Sequence, residues 1–344
     1  MISSGCKIVG YLTEWGEWCA EKVDASKMTH INYAFAQITD GAVSGGNVDK
    51  LNALKRIKQD FPHLETLISV GGWGAEGFSD AALTDESRSK FADSAVEYMK
   101  DNGFDGVDLD WEFPCSSEAE IKSRPEDKQN FTLLLAKVRE KLDAAGKADG
   151  RHYLLTIATN SMDEYIINLE LDAIALLVDF INIMSYDFHH GLSPIAGHHT
   201  NLYASSSDDG DRMCAEKSVQ GHMNAGVPAH QLVLGCAFYG RGWVAPDGST
   251  NGLYKPIEGV GSEYTYKKLV SEFIDKGGYK RYWDEAAKAP YLWNGSRIIS
   301  YDDPESLEYK TAFIKAKGLG GAMFWEYSQD DDGVLLNKIY EGLK

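Results

Sequence analysis

Three carboxylic acids, Asp108, Asp110 and Glu112, alternate with Val107, Leu109 and Trp111 along a short run of strand-forming residues. On a strand, side chains alternate faces, so the acids would share one face and the apolar residues the other. Like charges along one face repel each other, and the flanking Phe104, Phe113 and Pro114 argue that the opposite face is buried, not a solvated edge. Neighbouring carboxyl groups raise one another's pKa, and the last in the row can keep its proton near neutral pH. Glu112 is therefore the candidate general acid. Asp105 has the parity of the apolar residues and sits at the strand entrance, so its expected role is structural.

Such a row needs a frame. Strands are expected at Lys7–Leu12, His30–Ala36, Thr66–Gly71, Gly106–Glu112, Tyr153–Thr159, Phe180–Tyr186, Leu232–Tyr239 and Gly321–Trp325. Amphipathic helical patterns lie between many of them, including Asp49–Gln59, Ser87–Asn102, Lys128–Ala144, Leu171–Leu177 and Asp211–Gly226. Eight strands with interleaved helices in 344 residues predict the α/β class, a (β/α)8 TIM barrel. The stretch between strands seven and eight is too long for one crossover. Residues 244–293, rich in Gly, Tyr and Lys, are expected to form a small α+β insertion with a helix at Tyr266–Lys276. Residues 1–243 and 294–344 would then make the barrel.

In a barrel of this type the chemistry sits at the C-terminal ends of the strands. The period of two points Tyr11, Tyr33, Phe35, Ser69, Gly71, Trp73, Met184, Tyr186, Tyr239, Arg241, Met323 and Trp325 inward at those ends. Aromatic rings around carboxylates suit a sugar, which offers flat apolar faces and many hydroxyls.

A net charge of −18 disfavours nucleic acid and anionic membranes as partners. No apolar run approaches the ~18 residues of a membrane span. The segment Met1–Lys7 lacks the apolar core of a signal peptide, so the chain is either cytoplasmic or a mature secreted form. Five cysteines form an odd set without zinc spacing. His189, His190, His198 and His199 follow strand six without helical spacing and are expected as surface or subsite residues. The run Asp330–Gly333 lacks calcium-loop spacing, and no phosphate loop of the Walker type occurs. No metal and no cofactor are expected.

At the motif level the chain resembles the glycoside hydrolase family 18 chitinases. Its D-G-x-D-x-D-x-E element is Asp105 to Glu112, its S-x-G-G is Ser69-Val70-Gly71-Gly72, and its M-x-Y-D is Met184-Ser185-Tyr186-Asp187. Tyr239-Gly240-Arg241, Tyr301-Asp302-Asp303 and Trp325 extend the resemblance over nearly the whole chain. The resemblance implies retaining, substrate-assisted hydrolysis of β-1,4-linked N-acetylglucosamine, outside the two-carboxylate scheme. In it Glu112 would be the acid and base, and Asp110 would hold the acetamido N–H. Asp108 would share a proton with Asp110, and Tyr186 would donate to the acetamido group. Tyr11, Phe35, Ser69, Trp73, Met184, Asp187, Tyr239, Arg241 and Trp325 would line the substrate site, with Trp325 as its floor and Tyr11 and Ser69 beside Asp108. The implied partners are chitin and N-acetylglucosamine oligomers, met by a secreted, extracellular monomer. An endo-β-N-acetylglucosaminidase acting on N-glycans and a non-catalytic chitin-binding lectin are the alternatives. The presence of Glu112, Asp108, Asp110 and Tyr186 counts against the lectin, and the tryptophans and the insertion favour chitin over N-glycan.

Overall fold

The computed structural model describes residues 5–210, 212–245, 251–330 and 332–344. Outside them lie residues 1–4 of the N-terminal segment, Asp211 at the expected helix start, 246–250 of the expected insertion, and Asp331 of the acidic run. Eight parallel strands close into a barrel: Lys7–Thr13, His30–Thr39, Glu65–Gly71, Gly106–Asp110, Leu154–Asn160, Phe180–Met184, Leu232–Ala237 and Gly321–Trp325. The first strand pairs with both the second and the eighth, which closes the ring. Helices Val48–Asp60, Asp85–Asn102, Asp127–Asp149, Ala215–Asn224, Pro304–Lys317 and Val334–Leu343 wrap it.

Strand four illustrates why the chain folds this way. Val107 and Leu109 are fully buried in the layer between strands and helices, with Phe91, Phe131 and Leu134 from the covering helices. Asp108 and Asp110 therefore point into the barrel, beside a separate interior cluster containing Tyr11, Phe35, Tyr186, Tyr239 and Met323. The next turn is fixed by glycine. Gly71 pairs with Asp110 at φ +121°, and a Cβ there would fall 2.1 Å from the Asp110 carbonyl oxygen.

Several strand ends differ from expectation. Strand four stops at Asp110, where its ladder with Gly71 ends, so Glu112 stands on the loop beyond the strand instead of at its tip. Strand six stops at Met184, and Tyr186 and Asp187 lie past it, Asp187 at φ 59°. Strand seven stops at Ala237, and Tyr239 and Arg241 open a different strand. Tyr33 faces the outer layer, packing on Phe104 at 6.3 Å. The pairing register slips between Ala34 and Ala36, and this bulge turns Phe35 inward against the parity of Tyr33.

A second sheet stands on the rim. Its five antiparallel strands run in the order Glu258–Thr265, Tyr239–Val244, Arg297–Tyr301, Ala289–Trp293, Lys280–Asp284. Two of these, Tyr239–Val244 and Arg297–Tyr301, flank the 244–293 stretch and pair with each other, Val244 opposite Arg297. The helix expected at Tyr266–Lys276 is a single turn, Tyr266–Lys268, continuing into a wider π turn through Phe273. The sheet meets the loop after barrel strand six through Gly261 N–H, which donates to the Gly191 carbonyl at 2.8 Å. Lys255–Pro256 also pairs with Ile195–Ala196.

Candidate active site

Ser69, Asp108 and Thr156 lie abreast on barrel strands three, four and five. That register delivers two hydroxyls to one carboxylate: Ser69 Oγ donates to Asp108 Oδ2 at 2.7 Å and Thr156 Oγ1 to Oδ1 at 2.5 Å. Tyr11 Oη donates to Oδ2 at 2.8 Å from strand one, and Asn182 Nδ2 approaches Oδ1 at 3.5 Å from strand six. Burial pushes the Asp108 carboxyl up while these hydrogen bonds pull it down, leaving it raised. Asp108 and Ser69 are wholly enclosed. Tyr11 and Ser69 are thus Asp108's partners, and Thr156 and Asn182 join them unannounced by any motif.

Asp110 is the opposite case. It is 3% exposed, yet its Oδ1 meets no donor. Burial, then Glu112, then Asp108 raise its carboxyl well above the usual range. Both Asp108 oxygens accept from other donors, and among the described residues no hydrogen bond joins Asp108 to Asp110. Asp105 fills its expected structural place at the strand entrance, accepting from Thr66 N–H at 2.8 Å and pairing with Arg151 at 2.6 Å.

Glu112 is pushed up to about 8, first by burial and then by the charges of Asp187 and Glu118. Asp187 behaves differently. Burial alone would raise it, but the hydrogen bonds and charge of Arg241, with His199 Nδ1 3.6 Å away, outweigh that and hold it well below the usual range. Arg241 grips it with Nε at 2.8 Å and Nη2 at 2.9 Å. Burial lowers the pKa of His199 itself, so near neutral pH the cation on Asp187 is Arg241. Asp187 thus stays ionised and helps to keep a proton on Glu112. Arg241 also pairs with Glu263 at 2.9 Å.

These groups open into a cavity of about 640 Å³ lined by Tyr11, Phe35, Trp73, Asp110, Glu112, Met184, Tyr186, Asp187, Tyr239, Arg241 and Trp325, among others. Trp325 lies near-parallel to Phe35 at 5.6 Å and tilted against Tyr11 at 5.6 Å. Tyr186 Oη reaches Met323 Sδ at 3.6 Å, and burial, then Asp110 and Glu112, keep the phenol protonated. Gly72 admits the Phe35 ring, which a Cβ there would meet at 2.6 Å.

Sequence reasoning missed several wall residues. Trp15, 63% exposed on the loop after strand one, packs 6.2 Å from Phe35 and lines the cavity, as does Trp73, 61% exposed. Phe113 and Tyr165 pack at 4.8 Å on the wall that also holds Glu118 and Glu164. The period of two carries no information about such loops. Two of the four histidines need correction: His198 and His199 are fully buried and not at the surface, whereas His189 is half-buried and His190 lines the cavity as a subsite residue would. Among the described residues no group of three metal-ligating side chains occurs.

A family model described as Glycosyl hydrolases family 18 matches residues 7–330. Chitinase A1 of Niallia circulans is 42% identical over 97% of this chain, which spans only 58% of that protein. Chitotriosidase-1 of Mus musculus is 35% identical over 95% of this chain and 74% of its own length. A solved family 18 N-acetylglucosaminidase from Paenibacillus barengoltzii superposes with a TM-score of 0.94 at 43% identity, covering 98% of this chain and 100% of that one.

Proposed function

The chain belongs to glycosyl hydrolases family 18, and on that premise we propose that it hydrolyses β-1,4 links between N-acetylglucosamine units in chitin and chitooligosaccharides. One observation carries the reading. Glu112, protonated up to about pH 8, shares a cavity with the unpartnered Asp110 and the indole of Trp325.

In the proposed reaction the sugar stacks on Trp325, and Glu112 gives its proton to the glycosidic oxygen as the bond breaks. The acetamido carbonyl oxygen of the same sugar attacks its anomeric carbon, giving an oxazolinium ion. Asp110 accepts the acetamido N–H and, when ionised, offsets the positive charge developing on the ring. Its lack of a protein donor leaves that acceptor free for substrate. Tyr186, held protonated, donates to the acetamido oxygen. Glu112, now a carboxylate, takes a proton from the water that opens the oxazolinium, with overall retention. Asp108 holds Tyr11 and fixes strand four beneath this site. The rim sheet, with the 244–293 stretch taken as an insertion, would add a wall for sugars beyond the reacting one.

A second reading has support of its own. Likeness to a family 18 N-acetylglucosaminidase along that protein's whole chain favours release of single N-acetylglucosamine units. Product profiles from colloidal chitin and defined N-acetylglucosamine oligomers test both. Dimers and longer products support chain cleavage, monomers alone support the second reading, and no products at all would sink both.

A further inference from the structure

Tyr301-Asp302-Asp303 matches a family motif, yet none of the three lines the cavity. Asp303 caps helix Pro304–Lys317, accepting from Glu305 and Ser306 N–H at 3.0 Å each. Asp302 has different partners. It is 1% exposed and pairs at 2.6 Å with Lys310, whose side chain is fully enclosed. Such a pair adds little net stability over neutral groups of similar size, because desolvating two charges offsets their attraction. Its place in the fold calls for another account.

The pair touches the ends of two barrel strands. Asp302 Oδ2 accepts from Ala237 N–H at 3.1 Å, at the last residue of strand seven. Lys310 Nζ donates to Thr200 Oγ1 at 2.7 Å, and Thr200 Oγ1 lies 3.3 Å from the Ser185 carbonyl oxygen. The same hydroxyl lies 3.1 Å from Asp302 Oδ2, which already has the ammonium and the Ala237 N–H. Its single proton thus lies between two acceptors, the Asp302 carboxylate and the Ser185 carbonyl, and the Lys310 ammonium on the same oxygen fixes the hydroxyl between them. That carbonyl belongs to the peptide linking Ser185 to Tyr186, past the end of strand six, whose ladder with strand seven ends at Ile183; there the Ser185 hydroxyl donates to the Gly235 carbonyl at 2.9 Å. Beyond Ala237 the chain runs to Tyr239, whose ring meets Tyr186 edge-on at 6.0 Å.

We propose that the buried Asp302–Lys310 pair, acting through Thr200, sets the peptide plane from which Tyr186 reaches the reacting sugar. Asp302, Lys310 and Thr200 are positioning residues; none touches the cavity. The proposal rests on the hydrolase reading for its kinetic readout but carries a spectroscopic one of its own.

The test replaces the ions while keeping the volume: Asp302→Asn with Lys310→Met leaves an amide oxygen for Ala237 and removes the ammonium that orients Thr200. Thr200→Val cuts the link alone and serves if the double variant does not fold. A misplacement of about 1 Å in a reacting group can cost ~10²-fold, so kcat on N-acetylglucosamine oligomers should fall by between about 10-fold and 10²-fold with KM little changed. Crossing either variant with Tyr186→Phe gives a double-mutant cycle. A combined variant no slower than the slower parent supports action through Tyr186. Losses that multiply, or a wild-type kcat in both positioning variants, overturn it. Fluorotyrosine placed at position 186 reports the same geometry without turnover. Its resonance should shift or broaden in both variants, and an unchanged resonance overturns the proposal. An inactive wild type would remove the hydrolase reading and leave this spectral result to decide.

Discussion

Asp108 and Asp110 project from the same face of one strand, yet the first is met by four donors and the second's Oδ1 by none. The fold stabilises one carboxyl group and leaves its neighbour open to whatever enters the cavity. The two should therefore respond in opposite ways to substitution. Asp110→Asn removes a buried acid that burial and neighbouring charge disfavour as an anion, so thermal stability should hold or rise while kcat collapses. Asp108→Ala strands three hydroxyls and an amide, at about 1–3 kcal/mol for an unsatisfied buried group, and should lower the unfolding temperature. Calorimetry beside steady-state kinetics checks both, and equal destabilisation by the two would refute the contrast. For both residues kcat should fall more than KM rises, since the interactions strengthen in the transition state.

Glu112→Gln keeps the size of the side chain and removes its transferable proton. Activity should fall by ~10²–10⁴-fold, the usual range for general acid–base work, while oligomers still bind. Calorimetric titration with an N-acetylglucosamine oligomer separates binding from turnover. Activity within about threefold of wild type would sink the assignment.

The pH profile follows from the same group. Glu112 must be protonated to act as acid, and its pKa stands at about 8, so kcat/KM should fall as pH rises through about 8. Glu118 is among the charges that raise it, so Glu118→Gln should move this limb to lower pH. The stability sign is the reverse of a salt-bridged carboxylate. The folded state binds this proton more tightly than the unfolded chain, whose ordinary value is 4.5. Stability from this group is therefore greatest below 4.5 and declines as pH rises toward about 8. A limb that Glu118→Gln leaves in place, or moves upward, would contradict this electrostatic account.

If the substrate's own carbonyl is the nucleophile, no sugar–enzyme bond forms. Oligomers without an N-acetyl group on the reacting sugar should resist cleavage, and the β-anomer should appear first in rapid NMR spectra. A glycosyl ester trapped on Asp110, or α-anomer as first product, would overturn the proposal.

The barrel and its acid row are legible in the sequence because both depend on local periodicity. Alternation at 107–112 separates the helix-covered face from the interior, and the fold obeys it up to Asp110. Legibility ends where the pleat stops governing direction. Tyr33 and Phe35 share a parity in the sequence, but a bulge between Ala34 and Ala36, which has no signature in residue type, turns Phe35 inward and leaves Tyr33 facing the outer layer. Tyr239 and Arg241 look like the tip of strand seven, although the chain leaves the barrel at Ala237 and begins an antiparallel pairing. Trp15 and Glu118 reach the cavity from loops, and Tyr165 from the single helical turn Asp163–Ile166. His198 and His199 look like surface residues because polarity alone does not reveal the sheet that buries them.

The rim sheet offers the last test. Tyr239–Val244 and Arg297–Tyr301 pair directly, Val244 opposite Arg297, so the segment between them can be replaced by a short Gly-Ser turn that closes a two-stranded hairpin. The excision keeps Tyr239 and Arg241 on their strand but removes Glu263, which pairs with Arg241 and lines the cavity. Each aromatic ring stacked on a sugar beyond the reacting one should be worth on the order of 1 kcal/mol, by analogy with aromatic pairs. Several together would hold a polymer while adding little for a dimer or trimer. Activity on insoluble chitin and long oligomers should therefore fall far more than activity on short chromogenic substrates. Some loss of kcat on long substrates is also expected, because remote binding energy supports distortion of the reacting sugar. Glu263→Gln in the intact chain isolates the loss of that one carboxylate from loss of the wall. Equal losses on short and long substrates, with the fold verified by circular dichroism, would mean that the sheet only braces the barrel.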